Sequence, residues 1–213
     1  MTSLKYEKEL YKKNITLIGG VDEVGRGPLV GPVVAACVIL PVGYTLPGLT
    51  DSKKLSEKKR NAFSELIKRD ALSIGIGVID AKIIDEVNIL NATKLAMKSA
   101  IAKCKVQPEY LLVDGNMKLD INIPYQSIVK GDNLSLSIAA ASVIAKVERD
   151  KMMYELDKEY PEYGFKKHKG YPTKEHIKNI EKYGVLNNYR LTFKPVCDFM
   201  VKEKEKFYTG GKI

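Results

Sequence analysis

The chain has 213 residues, 45% of them hydrophobic, enough for one packed domain with an appendage. Thirty-five Lys and Arg against 26 Asp and Glu leave a net charge of +9, which suits a polyanionic partner or a solvated lysine-rich exterior. Three scattered cysteines, Cys37, Cys104 and Cys197, form no CxxC pair, which argues against zinc or a disulfide framework and for a reducing, cytosolic compartment.

The lysine-rich N-terminus has no apolar signal core, and no apolar run approaches the ~18 residues that a membrane span needs. Leu4, Tyr6, Leu10 and Tyr11 among charges predict a short amphipathic helix over 4–13. Ile15 to Ile18 has strand composition, and so does Val33 to Leu40 between Pro32 and Pro41. The two runs flank Gly20 to Gly31, GVDEVGRGPLVG, which holds adjacent carboxylates Asp22 and Glu23 and an arginine between glycines, Gly25-Arg26-Gly27.

A charged hairpin turn would account for that stretch. So would a metal site beside a backbone stripped of Cβ atoms, open to close approach. Because strand neighbours point to opposite faces, Glu23 can join Asp22 only at a strand end or bend, or through a different metal. The spacing Gly25, Gly27, Gly31 misses the dinucleotide fingerprint, and prolines and valines follow where that fingerprint needs a helix.

Asp51-Ser52-Lys53-Lys54-Leu55 precedes a helix capped by Ser56 and running through Phe63, Leu66 and Ile67. A lysine pair there is placed to hold a phosphate, or is simply a solvated loop. Ala71 to Ile79 alternates as a strand. Asp80 caps a brief helix to Glu86, and from Asn91 the residues Leu95, Met97, Ala100, Ile101 and Cys104 recur at core-facing helical spacing.

Tyr110 to Val113 is a short strand ended by Asp114-Gly115-Asn116, an acid where open α/β sheets bind ligands; an Asx turn explains it equally well. Pro124 to Val129 is another strand. Asp132 follows at a strand-to-helix junction, where a helix N-cap is the plain alternative. Ile138 to Ala145 predicts a helix buried on most sides, amphipathic from Lys146 and stopped by Pro161. His168 to Thr173 is a loop whose Tyr171 either stacks on a base or sugar or packs a turn. Thr173 caps a helix closed by Gly184, and Val196 to Phe207 predicts a terminal helix before a loose end, 209–213.

Acids at 22, 23, 114 and 132 in a basic α/β chain, with no cysteine or histidine cluster, form an all-oxygen set that favours Mg²⁺ or Mn²⁺. Such cations on a protein drawn to polyanions are the equipment of two-metal phosphodiester hydrolysis.

The blocks GVDEVGRGPLVGPVVAA, LTDSKKLS, IDEVNILNATKLAM, LLVDG, IVKGD, SIAAASVIAKVERD and YPEYGFKKHKGYPT, in this order over about 15–196, closely resemble bacterial ribonuclease HII, the type 2 ribonuclease H. The resemblance implies an α/β, RNase H-like fold: a central mixed β-sheet flanked by helices over 1–190, with a C-terminal helical extension over 191–213. It implies hydrolysis of RNA in RNA–DNA hybrids and incision 5′ of ribonucleotides embedded in duplex DNA, leaving 5′-phosphate and 3′-hydroxyl ends. It implies Asp22, Glu23 and Asp114 as metal ligands, with Asp132 completing the catalytic set, for Mg²⁺ or Mn²⁺. Gly25, Arg26 and Gly27 look like the reader of the ribose 2′-OH, Lys53 like a phosphate contact, and Tyr171 like the aromatic packing on a sugar beside the cut.

Partners are thus RNA–DNA hybrid and ribonucleotide-containing DNA, with no membrane, for a monomer in the cytoplasm. The family pattern usually has His-Arg where this chain has Tyr189-Arg190, so 189 receives no catalytic role. A non-catalytic hybrid-binding protein on the same fold is the competing expectation. Four intact acids oppose it, because a pure binder gains phosphate affinity by losing negative charge there.

Overall fold

In the computed structural model, which describes residues 2–201, the glycines of the opening motif lie inside a strand. Strand β1 is Ile18–Val24, three residues later than Ile15 suggests, so Asp22 and Glu23 are part of it rather than of a connection. Gly19 and Gly20 belong to this strand, and the sheet needs both bare. A Cβ at Gly20 would lie 2.0 Å from the Ser137 carbonyl carbon, because a helix rests directly on the strand.

That helix is α4, Leu136–Glu159, capped by Ser135 Oγ and almost wholly buried from Leu136 to Ala145. The other strands are β2 (Val33–Ile39), β3 (Ser73–Ile79), β4 (Tyr110–Asp114) and β5 (Tyr125–Ile128). They form one five-stranded sheet of order β3-β2-β1-β4-β5. β1 pairs antiparallel with β2 and β2 with β3, whereas β1–β4 and β4–β5 are parallel. The fold is the mixed sheet flanked by helices that the resemblance implies.

Each face has its own core. On one, Val21, Ala35, Cys37 and Val113 pack against α3, Ala81–Ala102. On the other, Val34, Ala36 and Val38 pack against α4 and against Ile67 of α2, Glu57–Asp70. Gly75 and Gly77 again mark close packing, since a Cβ at either would come within 1.9 Å of an α3 carbonyl oxygen. The two helices expected on either side of 86–91 are one run broken at Asn88, where φ is 69° and the side chain accepts from the Leu90 and Asn91 amides. Leu95 is 42% exposed and not the core residue its spacing suggests.

The N-terminal helix is α1, Lys5–Tyr11. After α4 come a 3-10 turn at Pro161–Tyr163 and a short α5, Phe165–His168, neither legible from periodicity because each is a single turn. Helix α6, Lys174–Tyr183, is capped by Thr173 and closed at Gly184 as expected. Of the terminal helix expected over Val196 to Phe207, 196–201 are helical. The remainder, with the loose end, lies outside the described residues. No helix of the described residues is long and apolar enough to cross a membrane.

Candidate active site

The parallel pairing of β1 with β4 sets Val21 beside Val113, which puts Asp22 beside Asp114 at the next position. Both valines face the α3 core, so strand alternation turns both carboxylates to the α4 side. Glu23, paired with Ala35, starts from the opposite face, one residue from the strand end. Its carboxylate sits 3.4 Å from Arg26 Nη1. Asp132 belongs to the 3-10 turn Gly131–Asn133 and is not the cap of α4, a role filled by Ser135. That leaves its carboxylate, which accepts from Asn133 Nδ2 at 2.7 Å, for the cleft.

Backbone amides pin two of these acids. Asp22 Oδ1 accepts from the Glu23 amide and Asp114 Oδ1 from the Gly131 amide, each at 2.7 Å. Burial, then the charges of Glu23 and Asp114, holds the Asp22 carboxyl well above the usual carboxylate range. Burial also raises Glu23, against the lowering effect of Arg26. Asp132 is raised by burial and then by Asp114 and Asp51. Lys53 loses charge stability to burial, but Asp51, Asp22 and Asp132 outweigh this and raise its pKa.

Two clefts meet over these residues. A cleft of about 600 Å³ is lined by Asp51, Lys53, Lys54, Asp114, Lys130, Asp132 and Asn133. Another, of about 460 Å³, is lined by Glu23, Val24, Gly25, Arg26, Gly27, Lys53, Ile89 and Tyr171. Lys53 belongs to both and bridges the acids to the glycine loop. Asp51 caps the Lys53 amide at 2.9 Å, and Ser52 Oγ lies 3.0 Å from Ser142 Oγ on α4, so the lysine loop is anchored to the same helix as the acids.

Every site residue expected from sequence therefore lines these two clefts, apart from Asp22, which stands buried at their junction. Asp51, Lys130 and Ile89 join them, and the sequence reading gave these three no role. The glycines differ in what they permit. Gly25 has φ of +92°, and a Cβ there would strike buried Arg149 at 2.2 Å. A Cβ at Gly27 would meet only the edge of the Tyr171 ring, at 3.4 Å.

As the side chains lie, no group of three or more Asp, Glu, His or Cys among the described residues is already drawn together at metal-binding distance. The donor set nevertheless fits a hard divalent cation. It is all oxygen, its buried carboxylates repel one another, and Glu23 Oε2 is buried without a hydrogen-bond partner.

The family profile described as Ribonuclease HII matches residues 19–196. The chain belongs to the ribonuclease HII family. Ribonuclease HII of Bacillus cytotoxicus is 58% identical over 200 residues, covering 94% of this chain and 76% of the relative. That of Bacillus mycoides is 56% identical over 198 residues, covering 93% and 77%. Among solved structures, ribonuclease H2 from Pyrococcus horikoshii OT3 superposes with a TM-score of 0.75 at 24% identity, covering 88% of this chain and 99% of that one. Bst-RNase HIII in complex with Mn²⁺ superposes at 0.67 and 19% identity, covering 91% and 72%. At these identities the likeness shows the RNase H-like fold. Membership in the ribonuclease HII family makes the chain a ribonuclease H, an endonuclease acting on RNA–DNA hybrids, and sets aside the non-catalytic alternative.

Proposed function

We propose that this ribonuclease HII cuts RNA in RNA–DNA hybrids and also incises 5′ of single ribonucleotides embedded in duplex DNA. The reaction is a two-metal phosphodiester hydrolysis that leaves 5′-phosphate and 3′-hydroxyl ends. The observation that carries the reading is the meeting of four carboxylates, Asp22, Glu23, Asp114 and Asp132, with the Gly25-Arg26-Gly27 loop and Tyr171 across one lysine, Lys53.

Asp22, Glu23, Asp114 and Asp132 would hold Mg²⁺ or Mn²⁺, which would supply a water readied for attack and stabilisation of the leaving oxygen. Lys53 contacts a backbone phosphate and orients it over the acids. The 2′-OH, donor and acceptor at once, is what distinguishes RNA from DNA at one nucleotide, and the backbone at Arg26 and Gly27 is where it is met. The Tyr171 ring, 38% exposed, packs on the following sugar and favours deoxyribose there, since a 2′-OH would lie unpartnered against an apolar face. The chain works as a monomer in the cytoplasm, with 1–190 as the catalytic domain and a C-terminal extension from 191, of which 202–213 lie outside the described residues.

Cleavage of a DNA duplex bearing one ribonucleotide, with Mg²⁺ and Mn²⁺ compared, tests this. One cut, 5′ of the ribonucleotide and with 3′-hydroxyl and 5′-phosphate ends, is the expected product. An intact duplex beside a cleaved all-RNA hybrid removes the embedded-ribonucleotide reading. Tyr171→Ala is expected to impair the single-ribonucleotide duplex more than the hybrid, and equal losses would reduce the tyrosine to packing.

A further inference from the structure

Two arginines, Arg149 on α4 and Arg190 after α6, have no exposed surface, and no carboxylate among the described residues pairs with either. A buried cation is costly unless dipoles replace its water. Here backbone carbonyls do so. Arg149 donates to the carbonyls of Pro32, Val30 and Lys169 at 3.0, 3.2 and 3.0 Å. Arg190 donates from Nη2 to Gly25 at 2.6 Å, from Nη1 to Arg26 at 3.0 Å, and from Nε and Nη2 to Gly31 at 3.1 and 2.9 Å.

The consequence lies on the other side of each peptide. A trans peptide is planar, with its C=O and N–H pointing in opposite directions. Because the Gly25 and Arg26 carbonyls point in at Arg190, the amides of Arg26 and Gly27 point out. Neither of these N–H groups donates to any group among the described residues. They border the cleft shared with Glu23, Lys53 and Tyr171. Consecutive free N–H groups aimed at one concavity form a nest for a negative or electron-rich oxygen.

We infer that Arg190 is a positioning residue for ribose recognition: by holding two carbonyls inward it presents the Arg26 and Gly27 amides to the 2′ oxygen of the substrate. The inference rests on the reading that this loop meets the 2′-OH. Arg190 itself touches no substrate. A lysine cannot take its place, because three carbonyls at fixed angles need a planar fork of donors. Arg149 ties the same loop to the opposite wall through Lys169, two residues before Tyr171, and the Leu29 amide adds a bond to the Gly170 carbonyl at 2.8 Å.

The test compares equilibrium binding of the full chain, in EDTA, to a DNA duplex with one ribonucleotide and to the same duplex without it. Wild type is expected to favour the ribonucleotide duplex. Arg190→Lys and Arg190→Met are expected to reduce that preference by roughly tenfold, about the worth of one good hydrogen bond, while affinity for the all-DNA duplex holds. A preference that survives while both affinities fall together overturns the inference, because that is what general loosening of the fold would do. A wild type that binds both duplexes equally removes the ribose reading itself, and the positioning role with it. A second readout needs no variant. The Arg26 and Gly27 amide proton resonances of wild type should move on adding the ribonucleotide duplex and hold still with all-DNA. If they respond identically to both, the amides do not face the 2′ oxygen.

Discussion

The His176 ring and the Tyr189 hydroxyl are joined by a 2.7 Å hydrogen bond in the interior. On the other side of the ring, Nδ1 lies 2.9 Å from the Tyr171 carbonyl, which can only accept. Nδ1 therefore carries the proton, and Nε2 accepts from Tyr189. His168 stacks on this ring at 4.2 Å and is fixed in the same way: its Nε2–H donates to the Tyr163 carbonyl and its Nδ1 accepts from the Gly170 amide. Both rings are neutral, and together they hold the backbone on either side of Tyr171. Tyr189, which the sequence reading left without a catalytic role, thus supports the loop by donating to His176.

Acid should therefore undo this support. Burial lowers the His176 pKa to about 4, whereas the unfolded chain takes up the proton near 6.5. Between these values the unfolded state binds more protons, so stability is lost as pH falls from 6.5 to about 4, by about 3 kcal/mol in all. Asp22, Glu23 and Asp132, whose pKa values are raised, bind protons more readily when folded and oppose this trend. The measurement is the urea midpoint against pH for Asp22→Asn, where the largest of the opposing groups is gone. A flat midpoint across that window would contradict the neutral histidine pair.

Much of this was legible in the sequence. The acids, the caps at Ser56, Asp80 and Thr173, and the core face of α4 follow from local chemistry and period. The start of β1 does not, because Gly20 is set by the closeness of α4, and Gly19 by Leu111 and Cys37 on the other face, rather than by strand propensity. Nor do the buried arginines: as single basic residues they read as surface charge, and only tertiary packing shows five carbonyls of one loop turned towards them. Leu95 fails for the same reason in reverse, its helical spacing being right and its neighbours absent.

Asp22→Asn separates stability from catalysis. The native carboxylate is buried among like charges, so neutralising it removes repulsion. Metal-free Asp22→Asn is expected to melt several degrees above wild type, on the scale of roughly 2–4 °C per kcal/mol. Its turnover on hybrid should fall by orders of magnitude, and added Mg²⁺ should raise the melting point of wild type more than that of the variant. Near-normal cleavage would remove Asp22 from the site.

Lys53 bridges the two clefts, and its contact is predicted to be with phosphate rather than base. Duplex affinity should fall linearly with salt on logarithmic axes, and Lys53→Ala should flatten that slope by about 0.9, the share of one neutralised phosphate. An unchanged slope would place Lys53 outside the interface.

Gly25 and Gly27 are predicted to fail in different ways when each is replaced by alanine. Gly25 has a left-handed φ of +92°, and its missing Cβ points inward, 2.2 Å from Arg149 Nε and 2.8 Å from the Pro32 carbonyl oxygen. Alanine there must displace a buried guanidinium that is holding three carbonyls, so Gly25→Ala should lower stability by about 1–3 kcal/mol and lose activity with it. Gly27 has no such neighbour, and its Cβ would stand 3.4 Å from the Tyr171 ring, within the cleft. Gly27→Ala should therefore melt within about a degree of wild type, since surface changes away from special features cost little. Its loss should appear as weaker discrimination between ribonucleotide and all-DNA duplexes, where the methyl group crowds the approach of the sugar. Paired melting curves and cleavage rates decide the matter. If Gly27→Ala is as unstable as Gly25→Ala, or if it cleaves like wild type, Gly27 is not the point at which the loop opens to substrate.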